Sequence, residues 1–96
     1  MRDKQLLQGE ALAAAVAGLG GWASDGQTLA KTFKWTSFKA ALAFVNAVGA
    51  LAEAQDHHPD IDLRYATVTL RLSSHDAGGI TTRDVRLAAS IDGLGA

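Results

Sequence analysis

His57 and His58 stand side by side ahead of Pro59, and His75, the last of the three histidines in the chain, follows within Ser74-His75-Asp76. Imidazole is the side chain whose ordinary pKa, about 6.5, lets it give or take a proton near neutral pH. The acids Glu53 and Asp84 flank these positions. Such a set suits general acid–base chemistry on a small polar molecule, with carboxylates holding ring tautomers. No serine is spaced to act as a nucleophile, so the expected chemistry is proton transfer without a covalent intermediate.

Three readings of this constellation are open from the residues. Histidines at element ends can simply hydrogen-bond the backbone. They can ligate a metal, but neighbours in extended chain point to opposite sides, and no His-Glu-x-x-His spacing occurs. Cysteine is absent, which removes disulfides, thiolate catalysis and Cys-ligated zinc together. No metal is expected. The acid–base reading needs the histidines to converge, and the elements that must position them can be read from the pattern.

Leu6 to Leu19 is alanine-rich and predicts a helix, closed by Gly18, Gly20 and Gly21. Trp22 to Ser24, the turn signal Asp25-Gly26 and then Thr28 to Trp35 predict a hairpin. Leu29, Lys31, Phe33 and Trp35 would share one face of its second strand. Thr36 or Ser37 can cap a long helix from Phe38 to Ala54. That helix has two adjoining apolar stripes: Phe38, Leu42, Val45, Gly49 and Ala52, and Ala41, Phe44, Val48 and Leu51. So wide a face implies cover from a second subunit or from the N-terminal helix.

Pro59 marks the break after it and biases His58 toward extended backbone. Asp62 to Tyr65 and Val68 to Ser73 predict a second hairpin with its turn at Ala66-Thr67, the latter strand alternating in period two. A loop from His75 to Ile80 leads to Thr81 and Asp84, spaced as a capping box, and a closing helix that stops near Gly93. The order α-β-β-α-β-β-α gives an α+β two-layer sandwich, a four-stranded antiparallel sheet with helices on one face. If the second hairpin pairs, the histidine pair, Ser74 and His75 meet at one rim. Glu53, a turn before His57, reaches the same rim.

Composition narrows the classes. One domain spans the 96 residues, and the net charge of -1 gives no broad basic field for nucleic acid and no polybasic membrane anchor. Lys31, Lys34 and Lys39 read as a solvated face beside a strand. The polar start, Met1-Arg2-Asp3-Lys4-Gln5, and the alanine run behind Glu10 do not read as a signal peptide, and a cytoplasmic setting is expected. The longest hydrophobic stretch, about Ala40 to Ala52, contains Asn46 and is too short to span a bilayer.

The pattern Glu53-x3-His57-His58-Pro59-x5-Tyr65-x9-His75-x8-Asp84 resembles the signature of the pterin-4a-carbinolamine dehydratases, and Trp22 resembles a tryptophan of that family. The likeness runs from the first helix to about Ala89. It implies dehydration of 4a-hydroxytetrahydropterin to quinonoid dihydropterin in pterin recycling, with no cofactor. It implies His57 and His75 as an acid–base pair and His58 as a third active-site group that positions substrate. By the same resemblance the pterin lies against His57, His58 and Pro59 and against Ser74, His75, Asp76 and Ala77. Glu53 and Asp84 would orient imidazoles, although Asp84 equally reads as a helix cap. Trp22 and Tyr65 would wall the pocket or pack in the core. Relatives form dimers or dimers of dimers, so a homodimer or homotetramer is expected. A non-catalytic assembly or regulatory protein on the same fold is the alternative.

Overall fold

The structure, a computed structural model, describes residues 5–94; the polar residues Met1 to Lys4 lie outside the described residues. Its elements are α1 (Gly9–Ala17), β1 (Ala23–Ser24), β2 (Leu29–Lys34), α2 (Phe38–Gln55), β3 (Asp60–Arg64), β4 (Thr67–Leu72) and α3 (Thr82–Asp92). The strands form one antiparallel sheet in the order β1-β2-β4-β3. This is the expected α+β arrangement. Period-two alternation sets its two faces: Leu29, Phe33, Val68, Leu70 and Leu72 are buried, while Thr32, Lys34 and Arg71 are exposed. Ala41, Phe44 and Val48 of α2 and Leu87, Ala88 and Ile91 of α3 complete the core. Phe44 stacks between Phe33 and Trp35, at centroid separations of 4.7 and 4.9 Å.

Several boundaries differ from expectation. Helix α1 begins at Gly9 because Leu6 and Leu7 are used otherwise. The Leu7 N–H donates to Ile80 O at 2.8 Å, and Leu6 lies against Gly79, where an added Cβ would come within 3.1 Å of its Cδ2. The second hairpin turns at Tyr65-Ala66, one residue earlier than expected, with Tyr65 at φ +51° and Arg64 opposite Thr67. The first hairpin is wider than Asp25-Gly26 alone. Asp25 Oδ1 accepts the N–H groups of Gln27 and Thr28 at 2.9 and 2.8 Å, which holds its carboxyl below the usual range.

Ser37 caps α2, its hydroxyl accepting the Ala40 N–H at 3.1 Å. The second stripe faces the core; of the first, Ala52 is buried and Val45 packs against the core, while Phe38 is 47% and Leu42 41% exposed. Lys31 is not part of a solvated face. It pairs with Asp92 at 3.0 Å and also donates to Gly20 O. Asp92 further accepts the Trp22 indole N–H at 3.0 Å and the Gly20 N–H at 3.1 Å. Partial burial pushes the Asp92 carboxyl up, but the hydrogen bonds from Lys31, Trp22 and Gly20 outweigh it and leave the group below its ordinary value. This clamp ties the end of α3 to the approach of β1.

Candidate active site

The site begins at the C-terminus of α2. Asp56 takes a left-handed φ of +50°, the His57 N–H donates to Ala52 O, and the Asp56 N–H donates to Glu53 O. These two bonds are the Schellman closure of a helix, with aspartate where glycine is more usual. The chain then leaves in extended form toward Pro59 and β3. Adjacent side chains on it take opposite sides, so His57 is buried and His58 exposed. The Nε2 atoms of both rings meet a carboxylate at 2.5 Å, His57 on Asp84 and His58 on Glu53.

Asp84 is wholly buried and belongs to the capping box that starts α3. Its Oδ2 accepts the Thr81 N–H at 2.9 Å and the Ser74 hydroxyl at 2.8 Å, leaving Oδ1 for His57. Thr81 Oγ1 lies 2.8 Å from Ser74 Oγ and also accepts the Arg83 N–H. Every donor aimed at the carboxylate is therefore accounted for, as a buried acid requires. Asp84 thus caps α3 through Oδ2 and meets the His57 ring through Oδ1. Ser74 donates to the carboxylate rather than to an imidazole, so this is not a nucleophilic serine arrangement.

His75 arrives from β4. A bridge between Ser74 and Gly79 closes a tight loop, in which the Ala77 and Gly78 N–H groups donate to Ser74 O at 3.0 and 2.9 Å. The loop tip places exposed His75 and Asp76 toward the histidine pair. Asp56, His57, His58, Ser73, Ser74, His75, Asp76 and Arg83 line one cleft of about 290 Å³. The three imidazoles thus share a single rim. Pro59 and Ala77 lie in the adjoining backbone rather than in the cleft wall, and Glu53 reaches it through His58. Among the described residues, no three His, Cys, Asp or Glu side chains are grouped to hold a metal ion.

Trp22 and Tyr65, read as walling the pocket or packing in the core, both stand away from this cleft. Trp22 is in the core and edges a separate, apolar groove of about 510 Å³ between α1 and β1. Tyr65 sits 74% exposed at the turn that ends β3, whereas the histidines lie where β3 begins. Sequence reasoning also missed Arg83 as a cleft residue. Its guanidinium forks onto Asp76, with Nη2 at 2.7 Å from Oδ1 and Nη1 at 3.3 Å from Oδ2. Its position between the partners of the capping box was the available signal.

Residues 5–94 match the family model described as pterin 4 alpha carbinolamine dehydratase. The chain belongs to the pterin-4a-carbinolamine dehydratase family. A Roseiflexus castenholzii protein provisionally named as such a dehydratase is 57% identical over 74 residues, 77% of this chain and 80% of that one. A Nocardia farcinica relative with the same provisional name is 47% identical over 90 residues, 94% of this chain and 95% of its own. Among solved structures, a transcriptional coactivator/pterin dehydratase from Brucella melitensis superposes with a TM-score of 0.90 at 28% identity, covering 96% and 100% of the two chains. A pterin dehydratase-like protein identified as a RuBisCO assembly factor in the alpha-carboxysome gives 0.66 at 28% identity, covering 78% and 89%. Within the family fold, no helix of the described residues is long and apolar enough to cross a membrane.

Proposed function

We propose that the protein dehydrates 4a-hydroxytetrahydropterin to quinonoid dihydropterin and water by histidine general acid–base catalysis. The C4a–O bond breaks and the oxygen leaves as water after accepting a proton. The N5–H bond breaks, and its electron pair forms the N5–C4a double bond. Each proton transfer needs a group with a pKa near the working pH, and each such group contributes roughly 10²–10⁴-fold. The convergence of three imidazoles on one cleft carries this reading.

In the proposed roles His57 and His75 flank the reacting carbon. Asp84 fixes the His57 proton on Nε2 by the hydrogen bond it accepts, leaving Nδ1 as the nitrogen for a ligand. It would also stabilise the imidazolium formed when that nitrogen takes a proton. His58, oriented by Glu53, positions the substrate, and the backbone from Ser74 to Ala77 meets the pterin edge. No cofactor takes part. The enzyme would serve pterin recycling in the cytoplasm, without membrane or direct nucleic-acid contact, as a homodimer or homotetramer joined through the exposed stripe of α2.

The deciding assay follows dehydration of 4a-hydroxytetrahydropterin generated in situ. Acceleration well above the spontaneous rate is expected, and its absence would remove the enzymatic reading. The second reading is a non-catalytic assembly protein, favoured by the likeness to the RuBisCO assembly factor. It accounts for the fold but gives the carboxylate-backed imidazoles no task.

A further inference from the structure

The three imidazoles are held in two different ways. His57 and His58 each rest directly on a carboxylate. The His75 ring makes no hydrogen bond among the described residues, and it stands exposed at the tip of its loop. Its place must come from the backbone that carries it. The base of that loop is closed by the Ser74–Gly79 bridge, and the Leu7 N–H bonds the segment beyond it at Ile80 O. The tip is tied by the next residue, Asp76, to which Arg83 presents a two-pronged contact. Arg83 is itself seated: its Nε lies 3.4 Å and its backbone N 3.2 Å from Thr81 Oγ1.

We propose that the Arg83–Asp76 fork is the positioning element for His75, setting its imidazole from the first turn of α3, which also holds His57 through Asp84. The inference rests on the dehydratase reading above. Guanidinium and carboxylate match in plane and spacing, so a fork restricts rotation in a way a single ammonium contact does not. Arg83 is largely covered, at 20% exposure, while Asp76 at 43% is open to solvent, so the fork acts through its geometry more than through charge attraction. One helical turn thereby references both proposed proton-transfer groups to a common frame. Misplacement of a reacting group by about 1 Å can cost on the order of a hundredfold in rate.

The test compares Arg83→Gln, Asp76→Asn, the double variant and Arg83→Lys with the wild type. Each single loss should lower kcat by about tenfold while KM stays within about threefold, because the fork acts on His75 placement. The losses should combine less than multiplicatively in the double variant, since both remove one shared interaction. Arg83→Lys should recover only part of the rate. Amide exchange at Ala77 and Gly78 should quicken in both single variants, a readout that needs no substrate. Unchanged kcat, losses that multiply in the double variant, or unchanged exchange would each overturn the proposal. An inactive wild type would instead overturn the dehydratase reading, and exchange alone would then judge the fork. Should Arg83→Gln fail to fold, Asp76→Asn at the exposed tip carries the test.

Discussion

Asp84 and His57 lie 27 residues apart in the chain and 2.5 Å apart in space. The carboxylate is locked by Ser74 and Thr81 before it ever meets the ring. A helix cap and a ring orienter are therefore one group, and damage to either role should appear in the other. Asp84→Asn, which presents N–H groups where acceptors are needed, should slow dehydration by roughly tenfold or more. It should also lower unfolding free energy by about 1–3 kcal/mol. Ser74→Ala should share the stability loss with a smaller effect on rate. Denaturant melts beside turnover measurements check both, and an Asn variant with native stability and rate would refute the coupling.

On the proposed mechanism the histidine roles should separate kinetically. His57→Ala and His75→Ala should each lower kcat by roughly tenfold or more with the fold intact by circular dichroism. His58→Ala should act mainly on KM. Full turnover in the His57→Ala/His75→Ala double variant would end the proton-transfer assignment.

Acid should release the clamp at the end of α3. The Asp92 carboxyl titrates below its ordinary value of 3.8 in the folded chain, so its ionised form stabilises the fold. That contribution is complete above the unfolded value and fades as pH falls through the folded one. Asp92→Asn should lower the urea midpoint at pH 7, and the gap from wild type should narrow below pH 3.8. A gap of constant size across that range would show that the charge contributes nothing.

Self-association through α2 predicts a change of assembly rather than of fold. Phe38 and Leu42 lie one turn apart on α2 and are both more than one-third exposed. Phe38→Glu/Leu42→Glu should reduce the sedimenting mass to a single chain while helix content holds. A wild type already monomeric at micromolar concentration would dismiss this interface.

Local signals carried much of the architecture. Ser37, one of the two caps read for α2, the box formed by Thr81 and Asp84, and the alternation of Val68, Leu70 and Leu72 each fix one element by short-range chemistry. The convergence of the histidines followed from pairing β3 with β4, since their outer ends must then adjoin. What escaped reading was set by distant partners. Lys31 and Asp92 are 61 residues apart, and nothing near either marks the other. Leu6 and Leu7 precede a helix-forming run, yet the Leu7 N–H is taken by Ile80 O and α1 begins only at Gly9. The Asp76–Arg83 contact spans a loop whose shape no local propensity determines.

The left-handed residue at Asp56 gives the corner a parity. Of two consecutive identical side chains, the first is turned inward to Asp84 and the second outward to solvent, by where the helix stops. Deleting one residue between Gln55 and His57 would leave the composition of the pair intact. It would nonetheless shift both by one place, bringing the second ring opposite Asp84 and leaving the first at the left-handed corner.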